Sequence, residues 1–250
     1  METLSVERSS GEVVAGPDRS WSGLYRAGGV SVVLYIVLGL IAPVVLLFTM
    51  PSAPSAGGAA TLQYIASNRL GYIIEQVLFS VPSVFAMVVF MALYMALKHL
   101  NKSYTAIATL VAIVGQVLAL ASPVTGGGAL SLVSLSDQYV AATTPAQHTA
   151  FATAAESFIA LNTIVGAGGI LFGIGILIIS LVMLKGVFQK GIAYLGIVTG
   201  ALGIVSEAFR NMLGFGYLVY WVLFVIWFIA IGWKLYRLGS SSSHSRALSK

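Results

Sequence analysis

The chain has no cysteine and very few charged residues. Its 250 residues include 13 lysines and arginines and 8 aspartates and glutamates, so 8% are charged while 58% are hydrophobic. A soluble domain has about 25% charged residues and about 45–50% apolar ones. So few charges cannot cover a water-facing surface, and the mean hydropathy of +0.94 agrees with this. The composition therefore predicts a membrane protein.

Several kinds of reactive residue are also missing. Without cysteine the chain cannot form disulfides, iron–sulfur clusters, thiolate zinc sites or a cysteine nucleophile. None of the three histidines, His99, His148 and His244, lies within a long hydrophobic run, which excludes haem held by two histidines inside the membrane. No lysine lies in the middle of such a run, so retinal has no site for a Schiff base.

The motifs of membrane proteases and nucleotide-binding proteins are absent. The sequence has no HExxH, no G-x-S-x-G, no P-loop and no paired aspartates within its hydrophobic runs. His148 is 11 residues from Asp137 and 8 from Glu156, spacings that match no metal-ligand motif. We therefore predict no cofactor and no metal site. These absences favour a chain that is not an enzyme and leave its activity open.

Six hydrophobic runs are long enough to cross a membrane. A hydrocarbon core about 30 Å thick needs about 20 apolar residues in a helix. The runs lack the two-residue alternation of a membrane β-barrel, so they predict helices. The predicted fold is all-α, a bundle of six transmembrane helices at residues 27–49, 71–97, 103–122, 157–184, 191–209 and 214–236.

The remaining parts of the chain are two polar termini. Residues 1–26 contain several acidic residues and do not resemble a cleaved signal peptide, so the first span is expected to remain. Residues 239–250 are rich in serine. We predict a disordered segment at 1–26, a transmembrane domain at 27–238 and a disordered tail at 239–250.

Lysines and arginines are concentrated on one side of the predicted bundle. Eleven of them lie in the two termini and in the turns after the second and fourth spans, and two, Arg69 and Arg210, lie in the opposite connections. Positive residues near span ends resist translocation. This bias predicts a plasma-membrane protein with both termini in the cytoplasm. The basic residues then contact membrane lipids, and no nucleic-acid partner is expected.

The connections on the other side are longer, covering 50–70 and 123–151. Loops of this length are often functional caps or linkers. The segments at 130–135 and 139–142 are apolar enough to lie on the membrane surface or to cap the bundle.

Three stretches of the sequence resemble a known family. They are RAGGVSVVLYIVLGL at 26–40, AMVVFMALYMALKHLNKSYTAIATL at 86–110 and VGAGGILFGIGILIISLVMLKGVFQKGIAYLGIVTGALGIV at 165–205. They are similar to an uncharacterised prokaryotic family of six-span integral membrane proteins, catalogued as a domain of unknown function. The resemblance implies the six-span fold and brings no activity, cofactor or site residue.

Polar residues inside the predicted spans are concentrated at one end. An ionised side chain at mid-bilayer costs at least about 2.5–3.5 kcal/mol, so it persists only with a partner or water. The polar residues lie in the outer halves of the spans and suggest a hydrated outward-facing cavity. These candidate ligand-binding residues are Glu75, Gln76, Gln116, Glu156, Asn162, Glu207 and Arg210.

Each of these residues also has a structural interpretation. Glu207 and Arg210 are three residues apart and can pair along one helix face. Gln116 and Asn162 can form hydrogen bonds between helices. Glu75 lies close enough to the head groups to be partly hydrated.

Glycines and aromatic residues mark predicted helix contacts. Gly169 and Gly173 have the GxxxG spacing, as do Gly196 and Gly200, which favours packing of the fourth and fifth spans against each other, with homodimerisation as the alternative. An aromatic stripe in the last span is typical of packing, and could also stack a flat lipid. It comprises Tyr217, Tyr220, Trp221, Phe224, Trp227 and Phe228.

Three classes of function remain. The missing catalytic residues favour a non-catalytic bundle that senses, assembles with or scaffolds another membrane component, with a membrane protein or a second copy as partner. The alternative is a small-solute or lipid transporter or binding protein that uses the outer polar cluster. A membrane enzyme acting on a lipid is a third class, with Glu75 or Glu156 as general base and His148 as the outer histidine.

Overall fold

A computed structural model describes residues 16–49, 57–122, 130–161, 163–186 and 188–247. Within these ranges the chain is helical and contains no strand, which confirms the all-α prediction. A 3-10 turn at Arg19–Trp21 precedes the first α-helix. The α-helices are α1 Ser22–Thr49, α2 Gly58–Ser67, α3 Arg69–Leu97, α4 Lys102–Ala121, α5 Leu130–Ala141, α6 Pro145–Ala160, α7 Thr163–Met183, α8 Lys190–Ala208, α9 Arg210–Leu213 and α10 Gly216–Ala247.

Six of the described helices are long and apolar enough to cross a membrane, namely α1, α3, α4, α7, α8 and α10. The chain is therefore a multi-pass membrane protein. Each spanning helix packs against two others, so that they form a closed ring in the order α1, α3, α4, α7, α8, α10 and back to α1. Large apolar side chains fill the middle of this ring, among them Phe90, Ile176, Trp227 and Phe228.

The two ends of the ring differ. At one end, here called the turn end, short turns join α3 to α4 and α7 to α8. The Asn101 side chain accepts a hydrogen bond from the main-chain N–H of Tyr104 (3.0 Å), which caps the start of α4. The basic residues counted in the sequence cluster at this end, including Arg26, Lys98, Lys102, Lys185, Lys190, Lys234 and Arg237. Which side of the membrane this end faces stays a prediction.

Three short helices, α2, α5 and α6, form a layer at the opposite end, here called the cap. Their apolar faces share a small core that contains Leu62, Ile65, Leu132, Val133 and Ala155 and rests on Tyr72 of α3. The second long connection therefore caps the bundle, one of the two placements that its apolar segments predicted. An ion pair between Arg69 of α3 and Asp137 of α5 (2.6 Å) also links the cap to the ring.

The predicted fourth span at 157–184 is wrong at its start. The chain forms two helices there, with α6 ending at Ala160 and α7 beginning at Thr163, and the spanning part of α7 is Gly166–Met183. Phe158 of α6 packs against the cap core, so its apolar character reflects the cap rather than the membrane. Hydropathy alone merged the two helices because apolar residues continue from one into the other.

The boundaries of the ring also differ slightly from the sequence prediction. α1 begins at Ser22 and α10 continues to Ala247, so helical structure extends past both ends of the predicted 27–238 domain. Residues 1–15 and 248–250 lie outside the described residues.

Candidate functional site

The ring encloses a polar site at its cap end, formed around the carboxylate of Glu207. Glu207 lies in the last turn of α8, and its side chain is 4% exposed. Arg210, in the short helix α9, contacts both carboxylate oxygens. Its Nη2 donates to Oε2 (2.7 Å) and Oε1 (3.0 Å), and its Nε donates to Oε2 (3.1 Å). The predicted pair at positions i and i+3 therefore forms, with two-point geometry.

Tyr217 completes this polar cluster. Its hydroxyl donates to Glu207 Oε1 (2.7 Å) and accepts from Arg210 Nη2 (3.1 Å). The guanidinium carbon of Arg210 also lies 5.1 Å from the centre of the Tyr217 ring, within the range of a cation–π contact. We call Glu207, Arg210 and Tyr217 the polar triad.

The local chain path brings the triad together. α8 ends at Ala208, and α9 is a single turn that places Arg210 beside the end of α8. Gly214 then adopts φ +47°, in the left-handed region that favours glycine, and the chain reverses into α10. Because of this reversal, Tyr217 lies in the first turns of α10, within reach of Glu207.

Gly169 of α7 makes room for the Glu207 carboxylate. A β-carbon at position 169 would lie 2.7 Å from Glu207 Oε2 and even closer to the carboxylate carbon. A residue with any side chain would therefore displace the carboxylate. The glycine identified as half of a GxxxG motif thus contacts an acidic side chain rather than a helix backbone.

A cavity of about 200 Å³ adjoins the triad between the spanning helices. Its polar lining adds Gln116 of α4 and Ser83 of α3 to the triad. Aromatic side chains also line it. Phe224 packs edge to face against Tyr35 and Phe172, with ring centres 5.7 Å apart in each pair. The cavity thus joins hydrogen-bonding groups to an aromatic wall.

A larger groove of about 770 Å³ contacts two members of the triad, Glu207 and Arg210. Ile159, Ile170, Phe209 and Met212 form much of its surface, which runs from the end of α6 along α7 to α9. Glu207 and Arg210 line both the groove and the cavity. The pair therefore lies where a groove with several apolar side chains meets a polar cavity.

Arg210 keeps capacity to bind a further group. Its side chain is 43% exposed, and within the described parts of the chain Nη1 donates no hydrogen bond. Burial alone would lower the pKa of Arg210, but the hydrogen bond to Glu207 and the nearby charges raise it above the ordinary value. The guanidinium is therefore charged, and its free N–H groups suit a carboxylate, a phosphate or a carbonyl oxygen.

The two predicted glutamines are both buried. Gln116 lines the cavity. Gln76 lies two turns from Ser83 on α3, towards the cap, and its Oε1 has no hydrogen-bond partner among the described residues. A buried amide oxygen without a partner is costly, so Gln76 marks a second point at which a polar group would be stabilised.

The other predicted site residues do not join the triad. Glu156 lies in the cap, where its Oε1 accepts a hydrogen bond from the main-chain N–H of Gly58 (3.3 Å) and ties α6 to α2. Glu75 is half-buried on α3 and is not among the residues that line the cavity. Burial and the charge of Glu75 raise the pKa of Tyr64 in the cap, which places Glu75 near the base of the cap. Asn162 lies outside the described residues.

Sequence reasoning missed Tyr217, Tyr35 and Gly169 as parts of this site. Tyr217 and Tyr35 were hidden among many aromatic residues in apolar helices, where packing is the usual role. A hint existed for Tyr217, because it is the first polar aromatic residue after Arg210 and follows a glycine-containing turn. Nothing in the sequence pairs α7 Gly169 with α8 Glu207.

Comparisons with known proteins place the chain in a family without adding a function. A family model described as a domain of unknown function (DUF4386) matches residues 27–235. No curated protein and no solved structure matches the chain.

Proposed function

We propose that this chain, which belongs to the DUF4386 family, is a non-catalytic membrane protein that binds a small amphiphilic molecule at its cap end and senses it. The observation that carries this proposal is the position of Arg210. It is charged, partly exposed and lines both the polar cavity and the groove that contains Ile159 and Ile170.

The two spaces define the chemistry of the ligand. The cavity of about 200 Å³ fits a compact head group that accepts hydrogen bonds from Arg210, with Gln116 close by. The groove fits an apolar tail along Ile159 and Ile170. The ligand class is therefore a single-tailed amphiphile with an anionic or carbonyl-bearing head.

The state of Glu207 supports binding over catalysis. Its two oxygens accept four hydrogen bonds from Arg210 and Tyr217, so the carboxylate is not free to act as a general base. Two of the other residues considered for an enzyme are engaged elsewhere. Glu156 binds Gly58 in the cap, and the His148 ring packs edge to face against Tyr139 (4.7 Å between ring centres).

Native mass spectrometry of the protein released from lipid nanodiscs tests the proposal. Wild type is compared with Arg210→Ala and with Arg69→Ala, a control that removes an arginine from the exposed ion pair of the cap. We expect a bound molecule of defined mass on wild type and on R69A, and its loss from R210A. The same adducts on all three proteins would contradict the proposal and make the triad structural.

Glu75→Gln is a second control in the same experiment. Because Glu75 does not line the cavity, the E75Q protein should retain the molecule. Loss from E75Q together with retention by R210A would move the binding site to the base of the cap and overturn the assignment made here.

Assembly with another membrane protein is a second candidate, favoured by the surface around α9. Phe215 is 94% exposed and Met212 is 82% exposed, both at the cap end. Such side chains suit contact with a partner or a second copy of the chain. Crosslinking in native membranes, comparing wild type with Phe215→Ser, tests this. A crosslinked species lost in F215S supports assembly, and no crosslinked species in either protein counts against it.

We further propose the plasma membrane as the location, with both termini in the cytoplasm. The concentration of lysine and arginine at the turn end supports this orientation. The cavity and the cap then face outward, so the ligand would be sampled from outside the cell or from the outer leaflet.

A further inference from the structure

A second groove lies at the opposite end of the molecule from the triad. It has a volume of about 440 Å³, runs between α1 and α10 on the outside of the ring, and is almost entirely apolar. Val33 and Val37 of α1 form one wall, and Ile229, Trp233 and Tyr236 of α10 form the other. Trp233 and Tyr236 lie at the end of the groove that is nearest the turn end of the ring.

Two glycines explain why a groove forms here. A β-carbon on Gly29 would lie 2.7 Å from Cβ of Tyr236, and one on Gly232 would lie 2.7 Å from Cβ of Val32. The two helices therefore cross with their backbones close together, and no side chain fills the space outside the crossing. The walls remain accessible, with Trp233 62% exposed and Val33 58% exposed.

Positive charge lies at the mouth of this groove. The guanidinium carbon of Arg237 is 5.0 Å from the centre of the Trp233 ring, and the Arg237 side chain is exposed. Within the described residues, Arg237 has no carboxylate partner. Asp18 is the acidic residue described at this end. Its carboxylate accepts a hydrogen bond from the main-chain N–H of Ser20 (2.9 Å), which is the main cause of its lowered pKa, and the nearby charge of Lys98 lowers that pKa a little further.

We propose that this groove is a binding site for an anionic phospholipid of the surrounding membrane. One acyl chain lies along Val33, Val37 and Ile229, and the phosphate contacts Arg237 at the mouth. The apolar walls select a hydrocarbon chain, and the unpaired guanidinium selects a net negative head group over a zwitterionic one. This site is separate from the triad and does not depend on the function proposed for it.

Tryptophan quenching by brominated lipids tests the proposal. Wild type and Trp233→Phe are reconstituted in phosphatidylcholine bilayers that contain increasing fractions of dibrominated phosphatidylglycerol or dibrominated phosphatidylcholine. The difference between the two proteins isolates the emission of Trp233. We expect this emission to be quenched at a lower fraction of the anionic lipid than of the zwitterionic one.

Arg237→Gln should weaken that preference by about fivefold, the fold-change for about 1 kcal/mol lost when the one charge that contacts the bound phosphate is removed, whereas a charge removed elsewhere on this end should change it little. Lys102→Gln is the matched control, because it removes one exposed positive charge from the same end on α4. Equal quenching of Trp233 by both lipids would show that the groove does not prefer an anionic lipid. Equal effects of R237Q and K102Q would show only bulk attraction to the charged surface. Either result would overturn the proposal.

A second variant tests the path of the acyl chain. Val33→Phe narrows the groove and should reduce quenching of Trp233 by the anionic lipid. Leu110→Phe places the same ring on an exposed lipid-facing position of α4 and should leave it unchanged. Unchanged quenching in V33F would show that the chain does not lie in the groove.

Discussion

The buried charge of Glu207 needs Arg210 to compensate it, whereas the charge of Arg210 needs Glu207 less. Glu207 is buried, whereas nearly half of the Arg210 side chain is exposed. Removing the cation leaves an uncompensated charge inside the bundle, while removing the carboxylate leaves an arginine that can turn towards solvent or head groups. The two substitutions should therefore have unequal effects.

We expect Arg210→Ala to destabilise the protein by about 1–3 kcal/mol, less than the roughly 3–5 kcal/mol for breaking a fully buried pair, because the exposed part of Arg210 is screened by solvent. Glu207→Gln should cost less, and R210A/E207Q should be more stable than R210A alone. Thermal unfolding of the four proteins in detergent measures this, with an expected coupling of about 0.5–3 kcal/mol. If the losses in free energy of unfolding of the two single variants simply add in the double variant, the interaction between Glu207 and Arg210 does not contribute to stability.

His99, in the turn after α3, gives a pH-dependent contribution to stability. Burial lowers the pKa of the His99 ring, and the nearby main chain of Ala96 partly opposes this shift. Since the folded protein favours the neutral ring, stability should be fully present above about pH 6.5 and should fall as the pH drops through the lowered pKa. The melting temperature measured from pH 8 to pH 5 should fall less in His99→Gln than in wild type. An equal fall in both proteins would assign the acid sensitivity to another group.

At the scale of helices, glycine contacts fix the distance between neighbours. Gly173 of α7 and Gly200 of α8 meet directly: a β-carbon on Gly173 would lie 3.1 Å from the carbonyl oxygen of Gly200, and one on Gly200 would lie 2.9 Å from that of Gly173. This confirms that the fourth and fifth predicted spans pack against each other. Small residues allow this close approach, which strengthens packing in a bilayer.

Gly200→Ala should separate α7 from α8 and cost about 1–3 kcal/mol, because its methyl group would overlap the backbone of Leu177. Gly191→Ala, in the same helix, is the control, since nothing lies within 4 Å of its β-carbon position. That substitution should be neutral or stabilise α8 by up to about 1 kcal/mol. Unfolding in mixed micelles with increasing denaturing detergent compares the two, and similar midpoints would contradict the packing argument.

The helices also show where sequence reasoning reached its limit. Membrane thickness forces every span to be long and apolar, so hydropathy located all six spans. It could not separate α6 from α7, because Phe158 and the start of α7 are equally apolar although they pack in different places. The pairing of Glu207 with Arg210 was predictable because it is local. The approach of Tyr217 and Gly169 was not, since it depends on a chain reversal and on which helices become neighbours.

The whole molecule has two unlike ends. The turn end is basic, while the cap end holds the triad, the Arg69–Asp137 ion pair and the three cap helices. If the turn end is cytoplasmic, a residue in the cap is accessible from outside the cell and a residue in the α3–α4 region is not.

The absence of native cysteine makes this orientation simple to test. Ala146→Cys introduces a thiol at an exposed position of the cap, and Ser103→Cys introduces one at an exposed position near the turn end. A membrane-impermeant maleimide should label A146C in intact cells and S103C only after permeabilisation. The reverse pattern would invert the orientation and place the cavity towards the cytoplasm.

The most direct test of the central claim is an experimental structure of wild type purified with its native lipids. We predict that the cavity beside the polar triad contains density for a bound molecule, with its head within hydrogen-bonding distance of Arg210 Nη1 and its tail along Ile159 and Ile170. A structure in which the triad is intact and the cavity holds only water or protein side chains would contradict the claim and leave the triad as a structural ion pair.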